Sequence, residues 1–99
     1  MRRAARVDDN HGEIKAVLEA MGCTVADTST AGGGFPDLVV GFSGLNILME
    51  VKDGKKPKSA RGLTPKQAIW HTQWRGQVAV VSSVSEAIMQ VNAARRRKP

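Results

Sequence analysis

Residues 32–52 read GGGFPDLVVGFSGLNILMEVK, and this stretch determines the fold. Residues 37–42 are mostly apolar and rich in valine, as a buried strand requires, and residues 45–52 form a second run of the same kind. Ser43-Gly44 stands between them as a tight-turn signal. Two strand-like runs joined by two turn residues predict a β-hairpin.

The chemically distinctive residues lie on this hairpin. Successive side chains of a strand point to opposite faces, so Glu50 and Lys52 project together and Val51 projects into the other layer. Asp37 opens the first strand, and its carboxylate can meet that of Glu50 at one Mg²⁺, a cation that prefers oxygen ligands. Lys52 then lies where it can hold or deprotonate a water, or stabilise charge on phosphorus. The alternative is a surface strand with an ordinary Glu/Lys pair.

The rest of the chain predicts helices and strands around the hairpin. Residues 9–21 show helical periodicity, and residues 23–27 form a short strand candidate. Thr64-Pro65 opens a second helix, residues 77–82 form the last strand, and Ser83 caps a third helix. This order, α-β-β-β-α-β-α, predicts an α/β fold with a small mixed β-sheet flanked by helices. The last strand is expected to lie parallel to a hairpin strand.

Composition limits the class of protein. The 99 residues carry 15 Lys+Arg against 9 Asp+Glu, and a net charge of +6 favours a polyanionic partner. The length fits one domain over residues 1–99, with 1–7 and 95–99 as flexible basic termini. The single cysteine, Cys23, excludes an internal disulfide and a multi-cysteine zinc site. Without a secretory signal or an apolar run of ~20 residues, a cytoplasmic protein with no membrane partner is expected.

Pro36-Asp37 followed by Glu50-Val51-Lys52 matches the PD-(D/E)xK pattern of the restriction-endonuclease-like superfamily. Over roughly residues 9–92 the chain resembles the virus-type replication-repair nuclease (VRR-NUC) family, in its compact stand-alone form from phages and bacteria. That family has an acid on the first helix, a Gly-rich loop before Pro-Asp, and a Gln on the helix after a basic loop. The matching residues here are Glu13, Gly32 to Gly34, and Gln67.

The resemblance implies a restriction-endonuclease-like fold and a Mg²⁺-dependent endodeoxyribonuclease that hydrolyses phosphodiester bonds. Mn²⁺ is expected to replace Mg²⁺, and no organic cofactor is expected. The implied form is a homodimer that resolves Holliday junctions in a bacterial or phage-infected cell, in the service of DNA repair. The alternatives are a monomeric flap nuclease or nickase, and a non-catalytic basic DNA-binding module.

The resemblance also implies roles for individual residues. The expected catalytic residues are Asp37, Glu50, Lys52, Gln67 and Glu13, and the expected metal ligands are Asp37, Glu50, Glu13 and the Val51 carbonyl. For Glu13 the alternative is a solvated helix acid. Gln67 also completes a capping box with Thr64, in which its side chain bonds back to the Thr64 N–H instead of contacting Lys52 or the scissile phosphate.

Basic residues that follow the site are the expected contacts to DNA phosphates, which give affinity without sequence readout. They are Lys55, Lys56, Lys58, Arg61 and Lys66. Trp70 and Trp74 stand four residues apart on one helix face. That spacing favours packing in the core or at a dimer interface over stacking on bases.

Overall fold

The computed structural model describes residues 10–97. In chain order the elements are helix α1 (His11–Ala20), strands β1 (Thr24–Asp27), β2 (Leu38–Phe42) and β3 (Leu45–Val51), a short 3₁₀ helix (Lys58–Ala60), helix α2 (Pro65–Gln73), strand β4 (Val78–Val81) and helix α3 (Val84–Arg97). The predicted α/β class, with a small mixed sheet and three α-helices, is confirmed over this range. None of the helices in residues 10–97 combines the length and apolarity needed to cross a membrane.

One four-stranded sheet joins the strands in the order β1-β2-β3-β4. The pairs β1–β2 and β2–β3 are antiparallel. Strand β4 pairs parallel with β3, as predicted. The hairpin turn has positive φ at both central residues, 51° at Ser43 and 75° at Gly44. Such a turn matches the twist of the flanking strands. It fixes the β2–β3 register, in which Leu38 lies opposite Met49.

The core lies on one face of the sheet. Alternate strand residues point into it and pack against α1 and α3: Leu38, Val40, Ile47, Met49, Val51 and Val81 from the strands, with Ile14, Leu18, Ala87 and Val91 from the helices. Val51 is therefore in the opposite layer from Glu50 and Lys52, as the strand periodicity predicts. Asp37, Glu50 and Lys52 lie on the other face of the sheet.

Helix α3 continues to Arg97, so residues 95–97 are helical, and the flexibility predicted for the termini stays a prediction. Arg95 places its guanidinium carbon 5.5 Å from the centroid of the Phe42 ring. Basic side chains in the last turn also interact favourably with the negative end of the helix dipole. Residues 1–7, Lys98 and Pro99 lie outside the described residues.

Candidate active site

The hairpin register sets Asp37 across from Glu50. Leu38 pairs with Met49, so the next position along each strand brings these two acids together on the face away from the core. Cβ atoms of opposed residues are about 5 Å apart. Asp37 Oδ2 accepts a hydrogen bond of 2.9 Å from the Val51 N–H, which orients its carboxylate beside Glu50.

Glu50 is a buried carboxyl group, with only 2% of its surface exposed. Its Oε2 accepts a 2.9 Å hydrogen bond from Gln67 Nε2 and lies 3.7 Å from Lys52 Nζ. Its Oε1 is buried with no hydrogen-bond partner among residues 10–97. Burial and the neighbouring Asp37 carboxyl raise the pKa of Glu50 to about 8, although Lys52 opposes that shift. Such an oxygen is stabilised by either a proton or a cation.

Gln67 connects the acid and the lysine from the first turn of α2. Its Oε1 accepts a 2.8 Å bond from Lys52 Nζ and a 2.9 Å bond from the Thr64 N–H. The Gln67 N–H in turn donates to Thr64 Oγ1. The capping box and the contact with Lys52 are thus both present, because the side-chain amide of Gln67 bonds to Lys52 and to the Thr64 N–H through Oε1 while it donates to Glu50 through Nε2.

The Gly-rich loop, Gly32 to Gly34, packs against the start of α2. Gly34 has φ +86°, and a Cβ atom there would lie 2.6 Å from the Lys66 carbonyl oxygen in the first turn of α2. Phe35 packs edge-on against Trp70 of the same helix, with ring centroids 5.2 Å apart. The loop therefore fixes the start of α2, and with it Gln67.

Gly34→Ala is expected to destabilise the protein more than Gly33→Ala. Both glycines have left-handed backbones, φ +86° and +67°, where a side chain costs about 1–2 kcal/mol. Only at Gly34 would the new Cβ also meet backbone atoms of α2, which adds about 1–3 kcal/mol. Urea unfolding of the two variants measures the difference. Equal losses would contradict the close packing of the loop on α2.

Most of the predicted site residues line one cavity of about 370 Å³. They are Asp37, Glu50, Val51, Lys52, Lys56 and Gln67. Glu13 is not among them. It is exposed on α1 and lines a neighbouring cavity of about 450 Å³, and Asp53 lines both cavities. The assignment of Glu13 as a metal ligand stays a prediction. Of the basic residues, Lys55, Lys56, Lys58 and Lys66 are exposed, and Arg61 is half-buried.

Two residues near the site were not predicted to belong to it. Asn10 Nδ2 donates to the Lys52 and Ser82 carbonyls at 3.1 and 2.9 Å. It thereby joins the ends of β3 and β4.

His71 follows Gln67 by one helical turn, and burial together with the positive charge of Lys52 lowers the pKa of His71. The sequence does place His71 four residues after Gln67, and that spacing puts both side chains on the same face of the helix.

The donor atoms suit a hard divalent cation. Val51 directs its N–H toward Asp37, and its carbonyl points to the same side because both groups of one strand residue face the same neighbour. Two carboxylates and one carbonyl form an oxygen-only set, which Mg²⁺ completes with waters. Within residues 10–97 no group of three or more His, Cys, Asp or Glu side chains could hold a metal. A cation here therefore depends on the carbonyl and on waters as well as on the two acids.

Comparison of the chain with protein-family models, with curated proteins and with solved structures finds no match. The function must therefore be inferred from the geometry and chemistry of the site.

Proposed function

We propose that this protein is a metal-dependent DNA endonuclease of the VRR-NUC type, with a restriction-endonuclease-like fold. Gln67 provides the main support, because its side chain joins the buried Glu50 to Lys52 while Asp37 lies directly across the hairpin. A purely structural ion pair with Lys52 gives no reason to bury Glu50 beside a second carboxyl group, which raises its pKa. A cation-binding site does.

Each residue then has a defined task. Asp37, Glu50 and the Val51 carbonyl would hold Mg²⁺, or Mn²⁺ in its place. A bound cation supplies positive charge at the phosphate and lowers the pKa of a coordinated water. Lys52, held at 2.8 Å by Gln67, either positions and deprotonates the attacking water or stabilises the charge that develops on phosphorus. Lys56 brings further positive charge to the same cavity.

Branched DNA is the proposed substrate, with the four-way Holliday junction first. A homodimer would set two active sites around a twofold axis, which suits two symmetric cuts in a four-way junction. Exposed lysines beside the cavity would bind backbone phosphates, so affinity would not depend on base sequence. Lys55, Lys58 and Lys66 would make such contacts.

The test is cleavage of a four-way junction, a flap and a linear duplex, each with Mg²⁺ and with EDTA. We expect the junction to be cut fastest, only with Mg²⁺, and not by Asp37→Ala, which should still bind DNA. If Asp37→Ala cuts as well as the parent, the site assignment is wrong. Equal cutting of the three substrates would contradict selectivity for branches. Binding without cleavage would indicate a DNA-binding module, and a monomer by light scattering would favour a flap nuclease or nickase.

A further inference from the structure

Helix α2 carries a stripe of aromatic side chains that begins at the candidate site. Gln67, Trp70, His71 and Trp74 follow the spacing i, i+3, i+4, i+7 and so lie along one side of the helix. Trp70 is half-buried and Trp74 is exposed, so the tryptophans do not pack in the core, and the predicted alternative of a dimer interface stays a prediction. Instead their rings stack on each other, with centroids 4.8 Å apart and planes inclined by 18°.

Trp74 is the exposed ring at the end of this stack, while Phe35 and Trp70 are half-buried. Trp70 stacks on one of its faces, and Gly76 lies close to the indole near Nε1. The residue is nevertheless 41% exposed. Phe35, Trp70 and Trp74 thus form a series of contacting rings that ends at the exposed Trp74.

The charge of the chain segment that contains α2 favours a polyanion over a second copy of the chain. Between Asp53 and Glu86 the sequence contains no acidic residue, while its basic residues are Lys55, Lys56, Lys58, Arg61, Lys66 and Arg75. Arg75 directly follows Trp74. A second copy docked on this surface would bring like charges together, which disfavours the contact. A nucleic acid strand would bring complementary charge together with flat bases.

We propose that Trp74 is a stacking platform for an unpaired nucleobase of bound DNA. Aromatic faces stack on any base, so the contact selects unpaired nucleotides and not a sequence. Trp74 directly follows α2 and stands seven positions after Gln67, which at the helical rise corresponds to an axial distance of about 10 Å. That equals about three nucleotide steps of 3.4 Å. If the proposed nuclease function holds, the substrate class is branched DNA with unpaired nucleotides within a few positions of the cut, as at a flap or an opened junction.

Binding of an oligothymidylate and of a duplex of equal length, both in EDTA, tests the platform. Oligothymidylate should quench the tryptophan fluorescence of the parent. Trp74→Leu should lose most of that quenching and bind the single strand roughly 10-fold or more weakly, while Trp74→Phe should keep most of the affinity. Duplex affinity should be the same in all three proteins. Ile69→Ala is the matched control, because Ile69 is an exposed apolar residue of α2 that lies off the stripe.

Two outcomes would overturn the platform. One is parent-like affinity of Trp74→Leu for oligothymidylate. The other is a fall in light-scattering mass from dimer to monomer with unchanged DNA affinity per protomer, which would make this surface a contact between copies. Because binding is measured without Mg²⁺, the two proposals fail separately. A parent that stacks bases on Trp74 but cuts nothing would overturn the nuclease and keep the platform.

Discussion

Glu50→Gln is expected to abolish cation binding and cleavage while making the metal-free protein more stable at pH 8. Glu50 is almost fully buried, and its pKa is raised from 4.5 to about 8 by burial and by Asp37. Between those two pH values the folded protein keeps a proton that the unfolded chain has lost. The free energy of unfolding therefore falls as pH rises through this window, and it stops falling above the folded pKa.

Glutamine has nearly the same shape and no charge to desolvate. Its side-chain oxygen can still accept the hydrogen bond from Gln67 Nε2, so the network around Lys52 can persist. Urea unfolding in EDTA from pH 5 to 9 should show a fall on the order of a few kcal/mol for the parent, and a much flatter profile for Glu50→Gln. Glu19→Gln is the matched control, since Glu19 is an exposed acid paired with Lys15. Parallel profiles for the parent and Glu50→Gln would contradict this account.

Mg²⁺ should reverse the ranking at pH 8. A cation that binds only the folded state raises the free energy of unfolding by mass action, and Glu50 must release its proton for that binding. The parent should therefore be stabilised by Mg²⁺ more strongly as pH rises, and Glu50→Gln should not respond. Cleavage by the variant should fall by at least about 100-fold. Titration with Mg²⁺ at several pH values, with the unfolding midpoint as readout, measures this difference. An equal response of the two proteins would contradict the assignment of Glu50 as a ligand.

Local patterns were sufficient to predict the centre of the site. Ser43-Gly44 and the two strand runs predict the hairpin, and the hairpin alone brings Asp37 opposite Glu50. Thr64-Pro65 predicts the start of α2, where Gln67 lies. Each of these signals is short-range, because turn conformation and helix capping depend on a few neighbouring residues.

The contacts that complete the site join distant parts of the chain, and no local pattern predicts them. Asn10 bonds to carbonyls 42 and 72 residues away. Glu13 borders the apolar stripe of α1, but the fully buried Ile14 and Leu18 fix the rotation of that helix. Glu13 is consequently exposed beside the neighbouring cavity. Helical spacing grouped Trp70 with Trp74, yet it could not tell a buried face from an exposed one.

Lys52→Ala should reduce cleavage by about 10²- to 10³-fold, because the positive charge beside the scissile phosphate is lost. Gln67→Ala should reduce it by about 10- to 100-fold, the range typical of residues that orient a site. If Gln67 acts through Lys52, the double variant should cut little more slowly than Lys52→Ala alone. Single-turnover cleavage at saturating Mg²⁺ gives all three rates, and excess cation masks any effect of Gln67 on metal affinity through Glu50.

Multiplication of the two losses in the double variant would instead show that Gln67 contacts the phosphate independently of Lys52. Thr64→Ala provides the control for helix fraying. It removes the hydroxyl that caps the Gln67 N–H, at a cost of about 1 kcal/mol, but leaves the bonds of Gln67 to Lys52 and Glu50. If Thr64→Ala cuts as slowly as Gln67→Ala, the Gln67 side chain contributes only through the stability of α2. A parent-like rate would instead trace the loss in Gln67→Ala to the side-chain bonds of Gln67 with Lys52 and Glu50, since Gln67→Ala removes both and Thr64→Ala retains both, and the double variant then tests the share of Lys52.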